Sequence, residues 1–234
     1  MVSVLNLART SLPEAIRCPL SEPAPIAARL EEILDQRRGI RTFQSQRVDA
    51  ATLSNLLAVL RTRRRDTPPL LDGLMLNKRA YPAAGCIVAV DFWILPLTDN
   101  HASMYSISHY NHDEHKLEET GAVERSLLLS ALGLRHSRWE SVLSLVVAQT
   151  INIKRIFEKY QQRGYRFALI EAGLSAMLLC QAATAFRLAS LAWGGFYDSQ
   201  LDAILGLDGA NGSTTHIPFF SYAADHGNSA RDDK

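Results

Sequence analysis

The 234-residue chain has a hydrophobic fraction of 47% and a charged fraction of 21%. These values exclude a disordered chain, a collagen-like chain and a small disulfide scaffold. Twenty-five basic and 24 acidic residues give a formal net charge of +1, which excludes a protein that works chiefly by neutralising nucleic-acid phosphates.

Cysteine spacing and apolar runs indicate a cytoplasmic protein. The first twenty residues lack the basic-then-apolar order of a secretion signal. Glu171 and Arg187 interrupt the apolar run 167–193, which favours a core helix over a membrane span. Structural thiols are favoured over a disulfide or metal site because no C-x-x-C pair occurs among Cys18, Cys86 and Cys180.

The first third of the chain predicts an arm, two helices and a connection. Residues 1–23 show no hydrophobic period and predict an irregular arm. A helix that stops at Gly39 follows, with one apolar face formed by Ile26, Leu30, Ile33 and Leu34. Asp49 can cap a second helix, whose apolar stripe is Leu53, Leu56, Leu57 and Leu60. In the basic stretch 61–73, Pro and Gly pairs favour a solvated connection over an anion-binding patch.

The remaining elements mix strands and helices. Residues 86–95 predict a buried strand, and the alternating residues 104–110 predict its hairpin partner. Further along the chain, the patterns predict a strand over 141–153, a short helix over 154–162, a long apolar helix over 166–191, a helix from Asp198 to Gly206 and a strand over 215–220. Because strands and helices neither alternate strictly nor segregate, the predicted class is α+β. The predicted organisation is an arm over 1–23, one domain over 24–225 and a flexible tail over 226–234.

Several common motifs are absent from the sequence. It contains neither a G-x-x-x-x-G-K-[ST] loop, nor G-x-G-x-x-G after a strand, nor G-x-S-x-G. One polar cluster, His109, His112, Asp113 and His115, has the residue types of a metal site. We expect an ordinary polar turn there and no metal, because the cluster directly follows a predicted strand.

Four separate segments suit a flat or phosphorylated ligand. RRGIRTF places Arg37, Arg38 and Arg41 at a helix end, where they can clamp a phosphate. RAYPAAG (79–85) is rich in small residues, which lets backbone N–H groups approach a ligand. KYQQRGYRF (159–167) precedes the long helix, and WGGF (193–196) follows it with paired glycines.

In this order the four segments resemble the nitroreductase-like flavoprotein superfamily. They are most similar to its azoline-dehydrogenase branch, the streptolysin-type and microcin B17-type oxidases. RRGIRTF corresponds to the superfamily's R-R-S-x-R-x-F, and RAYPAAG corresponds to its P-S-x-G flavin loop. The most specific piece is Lys159-Tyr160 upstream of R-G-Y-R, a pair that generic nitroreductases lack. The resemblance covers residues 37–208.

The resemblance implies a nitroreductase-like fold, in which helices flank a central, mostly antiparallel sheet and a long central helix lies at an intertwined homodimer interface. It also implies FMN at that interface. The phosphate and ribityl chain would meet the motif that contains Arg37, Arg38, Gly39 and Arg41. The loop of the second subunit would lie along the flavin, with Arg79, Pro82, Ala83, Ala84 and Gly85. N–H groups near flavin N5 and O4 would come from Gly194 and Gly195.

The implied activity is an FMN-dependent oxidation of thiazoline or oxazoline rings to thiazoles or oxazoles in a ribosomally made precursor peptide. Lys159 and Tyr160 would be the catalytic pair, and either of them is a candidate base. The resemblance also implies a complex with a cyclodehydratase of the same pathway. It implies neither a nucleic-acid partner nor a membrane partner.

Two alternatives remain open at this point. One is a generic FMN-dependent NAD(P)H reductase of nitro or quinone compounds, against which the Lys159-Tyr160 pair argues. The other is a non-catalytic scaffold subunit of a peptide-modifying synthetase. Its support is that Gly39 and Ala83 replace family serines, while Met177-Leu178 replaces a Gln-Asn pair. Each lost hydrogen bond would weaken flavin binding by up to about tenfold.

Overall fold

An antiparallel β-sheet organises the protein, seen here in a computed structural model that describes residues 15–65, 76–97 and 102–224. Within these residues the α-helices are α1 (Leu30–Gln36), α2 (Ala50–Leu57), α3 (Arg125–Ala131), α4 (Ile153–Tyr160), α5 (Gln162–Ala185) and α6 (Asp198–Ile204). The strands are β1 (Ile16–Pro19), β2 (Phe43–Gln44), β3 (Arg63–Arg65), β4 (Leu76–Lys78), β5 (Val90–Pro96), β6 (Met104–Asn111), β7 (Lys116–Glu124), β8 (Leu145–Asn152), β9 (Ala189–Trp193) and β10 (Gly212–Ala223).

The main sheet has the order β1-β7-β6-β5-β8-β10-β2, with β9 paired to β10 as well. All of these pairings between named strands are antiparallel. A separate hairpin joins β3 to β4. The predicted α+β class with a mostly antiparallel sheet is therefore confirmed, as is the predicted pairing of 86–95 with 104–110 through β5 and β6.

Helices cover both faces of the sheet because its central strands alternate apolar side chains between two cores. Phe92 and Ile94 of β5 enter a cluster packed under α2 and α5. Leu95 enters the opposite cluster, which α3 and α6 cover. Adjacent Phe219 and Phe220 of β10 divide in the same way. This two-residue period fixes which face of the sheet each side chain enters.

The N-terminal arm is partly ordered, which corrects the prediction of an irregular segment over 1–23. Ile16–Pro19 pair with β7, and Leu20 continues the contact through its N–H to the carbonyl of His115. All four residues of β1 are exposed. Because such an edge strand buries no side chain, no hydrophobic pattern marks it in the sequence.

Besides the short strands β1 to β4, the sequence patterns missed β7 and β9, and they misplaced the long helix. No strand was predicted over 116–124, because β7 carries Lys116 and Glu118 at buried positions, where strands usually carry apolar residues. The long helix spans 162–185 rather than 166–191. It ends before Arg187, whose φ of 59° is left-handed, and the following apolar residues form β9 against β10.

Smaller boundary differences follow from local backbone geometry. Residues 84–86 form a 3₁₀ turn, so the strand predicted over 86–95 begins only at Val90. The first helix is short and ends at Gln36 instead of Gly39. Asp49 caps α2 as predicted, because its carboxylate accepts the N–H of Thr52 at 2.8 Å. Tails 1–14 and 225–234, and most of the connection 61–73, lie outside the described residues.

One face of α5 is apolar and exposed. Its exposed side chains include Tyr165, Leu169, Ile170, Leu174 and Met177. Helix α1 packs beside α5 and exposes Leu30 and Leu34 in the same way. By length and composition α5 is apolar enough to cross a membrane, and half of its most apolar window is buried within the protein. A core helix of a soluble protein meets the same test.

Helices α4 and α5 meet at a sharp corner beside the start of β5. Gln161, between them, has the unusual dihedrals φ 52° and ψ −139°. Gly164 of α5 lies so close to α4 that a Cβ there would be 3.1 Å from the carbonyl oxygen of Ile156.

Arg155 of α4 forms a two-point ion pair with Asp91 of β5, with N–O distances of 3.2 Å, and donates to the carbonyl of Val88 at 2.9 Å. These contacts fix α4 against the residues that precede β5.

Replacing Arg155 with alanine is expected to lower the free energy of unfolding by about 3–5 kcal/mol, because it leaves the buried Asp91 carboxylate without its cation. Urea denaturation followed by circular dichroism measures this loss. Lys154→Ala, at the exposed neighbouring position on α4, is the control and should change stability by less than about 0.5 kcal/mol. Equal midpoints for the two variants would contradict the structural role of the ion pair.

Candidate functional site

Lys159 and Tyr160 end helix α4 and lie over Gly85 of the RAYPAAG loop. A Cβ built on Gly85 would lie 2.6 Å from Lys159 Nζ and 2.5 Å from Tyr160 Oη. The Lys159 ammonium also lies 5.3 Å from the centre of the Tyr160 ring, a cation–π arrangement. Two of the four sequence segments thus meet at one point within the same chain.

The backbone of the loop explains why glycine stands at position 85. Gly85 has φ 58° and Cys86 has φ 59°, so two consecutive residues adopt the left-handed conformation. A side chain at Gly85 would be strained and would also displace both the lysine and the tyrosine tips. Gly85 is exposed, Ala83 and Ala84 are half-buried, and Lys159 is exposed. The loop therefore presents small residues and an ammonium to the surface.

Glu171 of α5 anchors the chain where this loop enters β5. Its carboxylate is buried and accepts the N–H of Ala89 at 3.2 and 3.3 Å. Burial raises the pKa of Glu171 to about 7, against a smaller opposing effect of the hydrogen bond from Ala89. The residue beside the loop thus has an ionisable group that titrates near neutral pH.

Arg79, at the start of the loop, lies beneath it rather than on its exposed side. One guanidinium nitrogen lies 2.8 and 2.9 Å from the two ring nitrogens of His112. The other two nitrogens are buried and have no hydrogen-bond partner among the described residues. The hydroxyl of Tyr81 is likewise buried without a hydrogen-bond partner among the described residues, and burial raises the pKa of Tyr81 well above its ordinary value. The predicted role of Arg79 in cofactor binding stays a prediction.

The arginine segment lies against strand β9. Gly39 forms a parallel bridge with Ser190, and the N–H of Ile40 donates to the carbonyl of Ser190 at 2.9 Å. Arg38 and Arg41 are exposed, and neither forms an ion pair with a described residue. Arg37 is half-buried. This arrangement leaves guanidinium groups available to an anion.

Gly194 and Gly195 follow β9 and lie near the arginine segment. Neither N–H donates a hydrogen bond within the described residues, and Gly194 has open space where a Cβ would stand. A Cβ on Gly195 would lie 2.5 Å from the indole ring of Trp193. The carbonyl of Gly195 faces Gly133, whose φ of 66° requires the left-handed conformation. Close packing against Trp193 therefore excludes a side chain at Gly195, and both glycines are exposed.

The four segments form two half-sites. The arginine half-site comprises residues 37–41 with Gly194 and Gly195, and the lysine–tyrosine half-site comprises residues 79–85 with Lys159 and Tyr160. No hydrogen bond or ion pair between described residues joins one half-site to the other. The arginine half-site offers cationic side chains and open amides, which fit the phosphate of FMN. The lysine–tyrosine half-site offers a loop of small residues, which fits the flat ring of FMN.

The histidine cluster disperses into separate contacts. His109 lies between Asp91 and Glu118, at 3.6 and 3.5 Å. His112 faces Thr62 and Arg79, whereas His115 lies between the hydroxyls of Tyr110 and Ser54. Within the described ranges no three such side chains surround one point.

Comparison with known proteins places this chain in a family. The model of the Nitroreductase family matches residues 34–219, so the chain belongs to the nitroreductase family, a family of oxidoreductases. The chain is 24% identical over 146 residues to the microcin B17-processing protein McbC of Escherichia coli. That match covers 61% of this chain and 54% of McbC, so it spans about half the length of this curated relative.

Solved structures agree on the fold. A chain in the E. coli microcin synthetase McbBCD complex with truncated pro-MccB17 bound gives a TM-score of 0.68 at 21% identity, covering 81% of this chain and 70% of that chain. A nitroreductase-type protein from Ralstonia eutropha gives a TM-score of 0.69 at 20% identity, covering 90% of both chains. The resemblance to the microcin B17-type branch is confirmed at the level of family and fold.

Three substitutions noted in the sequence have different structural settings. Gly39 has no atom closer than 3.9 Å to its Cβ position, so a serine would fit there. Ala83 is half-buried in the lysine–tyrosine half-site. Met177 is exposed on the apolar face of α5, and Leu178 packs against the core. The Gln-Asn pair of relatives is thus replaced here by apolar surface and apolar packing.

Sequence reasoning missed three residues that support the site. Arg155 lies one helical turn before Lys159, and this spacing on a short predicted helix is the sequence feature that could have identified Arg155 as a supporting residue. Glu171 was noted only as a charge that interrupts the apolar run 167–193, and its contact with Ala89 depends on tertiary packing. No sequence pattern pointed to Trp139, because Arg41, whose carbonyl accepts its indole N–H, is 98 residues away in sequence.

Glu171→Gln is expected to remove a pH dependence of stability. The folded chain holds the Glu171 proton more tightly than the unfolded chain does, so its contribution to stability is complete below pH 4.5 and is lost as pH rises to about 7. Relative to wild type, Glu171→Gln should therefore become more stable by up to roughly 3 kcal/mol between pH 4.5 and pH 8.

Urea denaturation of both proteins across this range makes the measurement. Glu158→Gln, at an exposed position of α4, serves as control and should keep a constant difference from wild type. A constant difference for Glu171→Gln as well would show that folding does not raise the pKa of the Glu171 carboxyl.

Proposed function

We propose that this protein is an FMN-dependent dehydrogenase that oxidises thiazoline or oxazoline rings to thiazoles or oxazoles in a ribosomally made peptide. The observation that carries the proposal is the position of Lys159 Nζ and Tyr160 Oη over Gly85. A general reductase of nitro compounds needs no such pair beside the cofactor loop. The similarity to a microcin B17-processing protein supports the same substrate class.

The chain's own residues would supply proton transfer and positioning. Conversion of an azoline to an azole removes a proton from Cα and a hydride from Cβ, and FMN, when bound, supplies the hydride acceptor. Lys159 and Tyr160 are close enough to act as a unit, with one as base and the other as its hydrogen-bond or electrostatic partner.

The cofactor would lie between two copies of the chain. Arg37, Arg38 and Arg41 would hold the phosphate, and the amides of Gly194 and Gly195 would face the flavin edge on which charge accumulates. Pro82, Ala83, Ala84 and Gly85 of the second copy would lie along the ring. The absence of a hydrogen bond or ion pair between the two half-sites, among the residues that the structure describes, supports this division.

Partners and location follow from the same proposal. The substrate is a cytoplasmic precursor peptide, and a cyclodehydratase that forms the azoline rings would be its companion enzyme. The McbBCD structure describes such a processing protein within a synthetase complex with its peptide bound. We extend that arrangement to this chain.

Purified protein with FMN, an azoline-containing peptide and its cyclodehydratase should produce azoles, detected by mass spectrometry as loss of two hydrogens per ring. Lys159→Ala and Tyr160→Phe should each reduce this turnover by about 10²–10⁴-fold while FMN absorbance is retained, because they remove proton transfer and leave the cofactor site intact. Lys154→Ala, on the same helix and exposed, is the matched control and should retain turnover.

Three other outcomes would overturn the proposal. Unchanged turnover in both variants would show that Lys159 and Tyr160 are not the catalytic pair. Rapid bleaching of the flavin by NADPH, with nitro or quinone reduction and no azoline oxidation, would favour a generic reductase. A colourless protein that FMN cannot restore would favour a scaffold subunit.

The dimer is tested through the exposed apolar face of α5. Ile170→Lys should shift the protein to monomer in sedimentation velocity and abolish FMN binding, because it places a charge in the proposed interface. Leu127→Lys is the control, since Leu127 is equally exposed (57% against 58%) but lies on α3. A wild-type monomer that binds FMN would contradict the shared site.

A further inference from the structure

The loop that follows α3 brings a tryptophan against the arginine half-site. The indole N–H of Trp139 donates to the carbonyl of Arg41 at 2.9 Å. The same ring meets Trp193 edge to face, with centroids 5.1 Å apart and planes at 83°. Trp193 directly precedes Gly194 and is itself held by its N–H to the carbonyl of Leu132. One side chain thus connects both parts of the arginine half-site.

A cationic side chain also lies over the ring of Trp139. The guanidinium carbon of Arg138 lies 5.2 Å from the centre of the Trp139 ring. Arg138 is exposed and forms no ion pair with a described residue, so an acidic neighbour does not neutralise its charge. Stacking on an indole restricts a long side chain that would otherwise be free in solvent. Trp139 therefore contacts the guanidinium of Arg138 through its ring and the backbone of Arg41 through its N–H.

We infer that Arg138, positioned by Trp139, is a further cation of the phosphate-binding part of the flavin site. The ligand chemistry is a phosphate monoester, which a guanidinium binds through charge-assisted hydrogen bonds. This inference rests on the proposed function only in taking FMN as the cofactor, and it makes no use of azoline oxidation.

Affinities for FMN and for riboflavin, measured by quenching of flavin fluorescence, separate the phosphate contact from the ring contacts. Arg138→Ala should weaken FMN binding by about tenfold and leave riboflavin binding unchanged. Added salt should reduce the difference between wild type and Arg138→Ala, because the contact is partly exposed. Arg135→Ala, at an exposed position of the same loop, removes an equal charge and should bind FMN as wild type does.

The role of Trp139 is tested by a double-mutant cycle. Trp139→Ala should weaken FMN binding at least as much as Arg138→Ala, and the double variant should be no weaker than Trp139→Ala alone, because the ring is what positions the cation. Trp139→Phe retains the ring without the indole N–H and should fall between wild type and Trp139→Ala. Thermal unfolding of each variant reports any loss of fold separately.

The outcomes distinguish this inference from the proposed function. Equal FMN affinity in Arg138→Ala and wild type, or equal weakening for FMN and riboflavin, would overturn the inference while azoline oxidation stands. Fully additive effects of Trp139→Ala and Arg138→Ala on FMN affinity would show that Trp139 does not position Arg138. A wild-type protein that binds no FMN would overturn the flavin proposal and this inference with it.

Discussion

The two-point ion pair between Arg155 and Asp91 is the interaction on which the lysine–tyrosine half-site depends. It joins the short helix α4 to the first residues of β5, and the third contact of Arg155 reaches the carbonyl of Val88 in the preceding loop. Lys159 and Tyr160 lie one turn further along α4, so their height above Gly85 is set by this ion pair. Glu171 fastens the same loop from α5 through the N–H of Ala89. An ion pair and a buried carboxyl group thus position a site whose own residues, apart from Tyr81, are exposed or half-buried.

The corner between α4 and α5 shows how backbone geometry serves that placement. A straight continuation of α4 into α5 would carry Tyr160 along the core helix and away from the loop. Gln161 instead takes dihedrals that non-glycine residues rarely adopt, and Gly164 allows the two helices to approach. Tyr160 then packs edge to face on Phe167 of α5, with centroids 5.0 Å apart. The core helix therefore fixes the ring of the tyrosine while its hydroxyl faces Gly85.

The surface of the chain is consistent with a site completed by a second copy. The arginine half-site has open amides and unneutralised guanidinium groups, and the lysine–tyrosine half-site has a glycine cradle, yet no polar contact between described residues connects them. Helix α5 exposes an apolar face together with Leu30 and Leu34 of α1. An exposed apolar surface of this kind marks an interaction surface more often than free solvent contact. Aromatic contacts around Trp139 and Trp193 stiffen the arginine half-site without any partner.

The sequence by itself determined the parts of this protein that depend on local pattern. Alternating and β-branched residues predicted β5, β6, β8 and β10, the Asp49 cap predicted the start of α2, and ordered motifs predicted the family. Tertiary structure decided what local pattern does not encode. Residues 189–193 form strand β9 rather than a longer helix because they pair with β10. Strand β7 tolerates the buried Glu118 because Asn111 donates a hydrogen bond to its carboxylate and Lys116 forms an ion pair with it. The meeting of Lys159 and Tyr160 with Gly85, 74 and 75 residues apart in sequence, required the packing of α4 against β5.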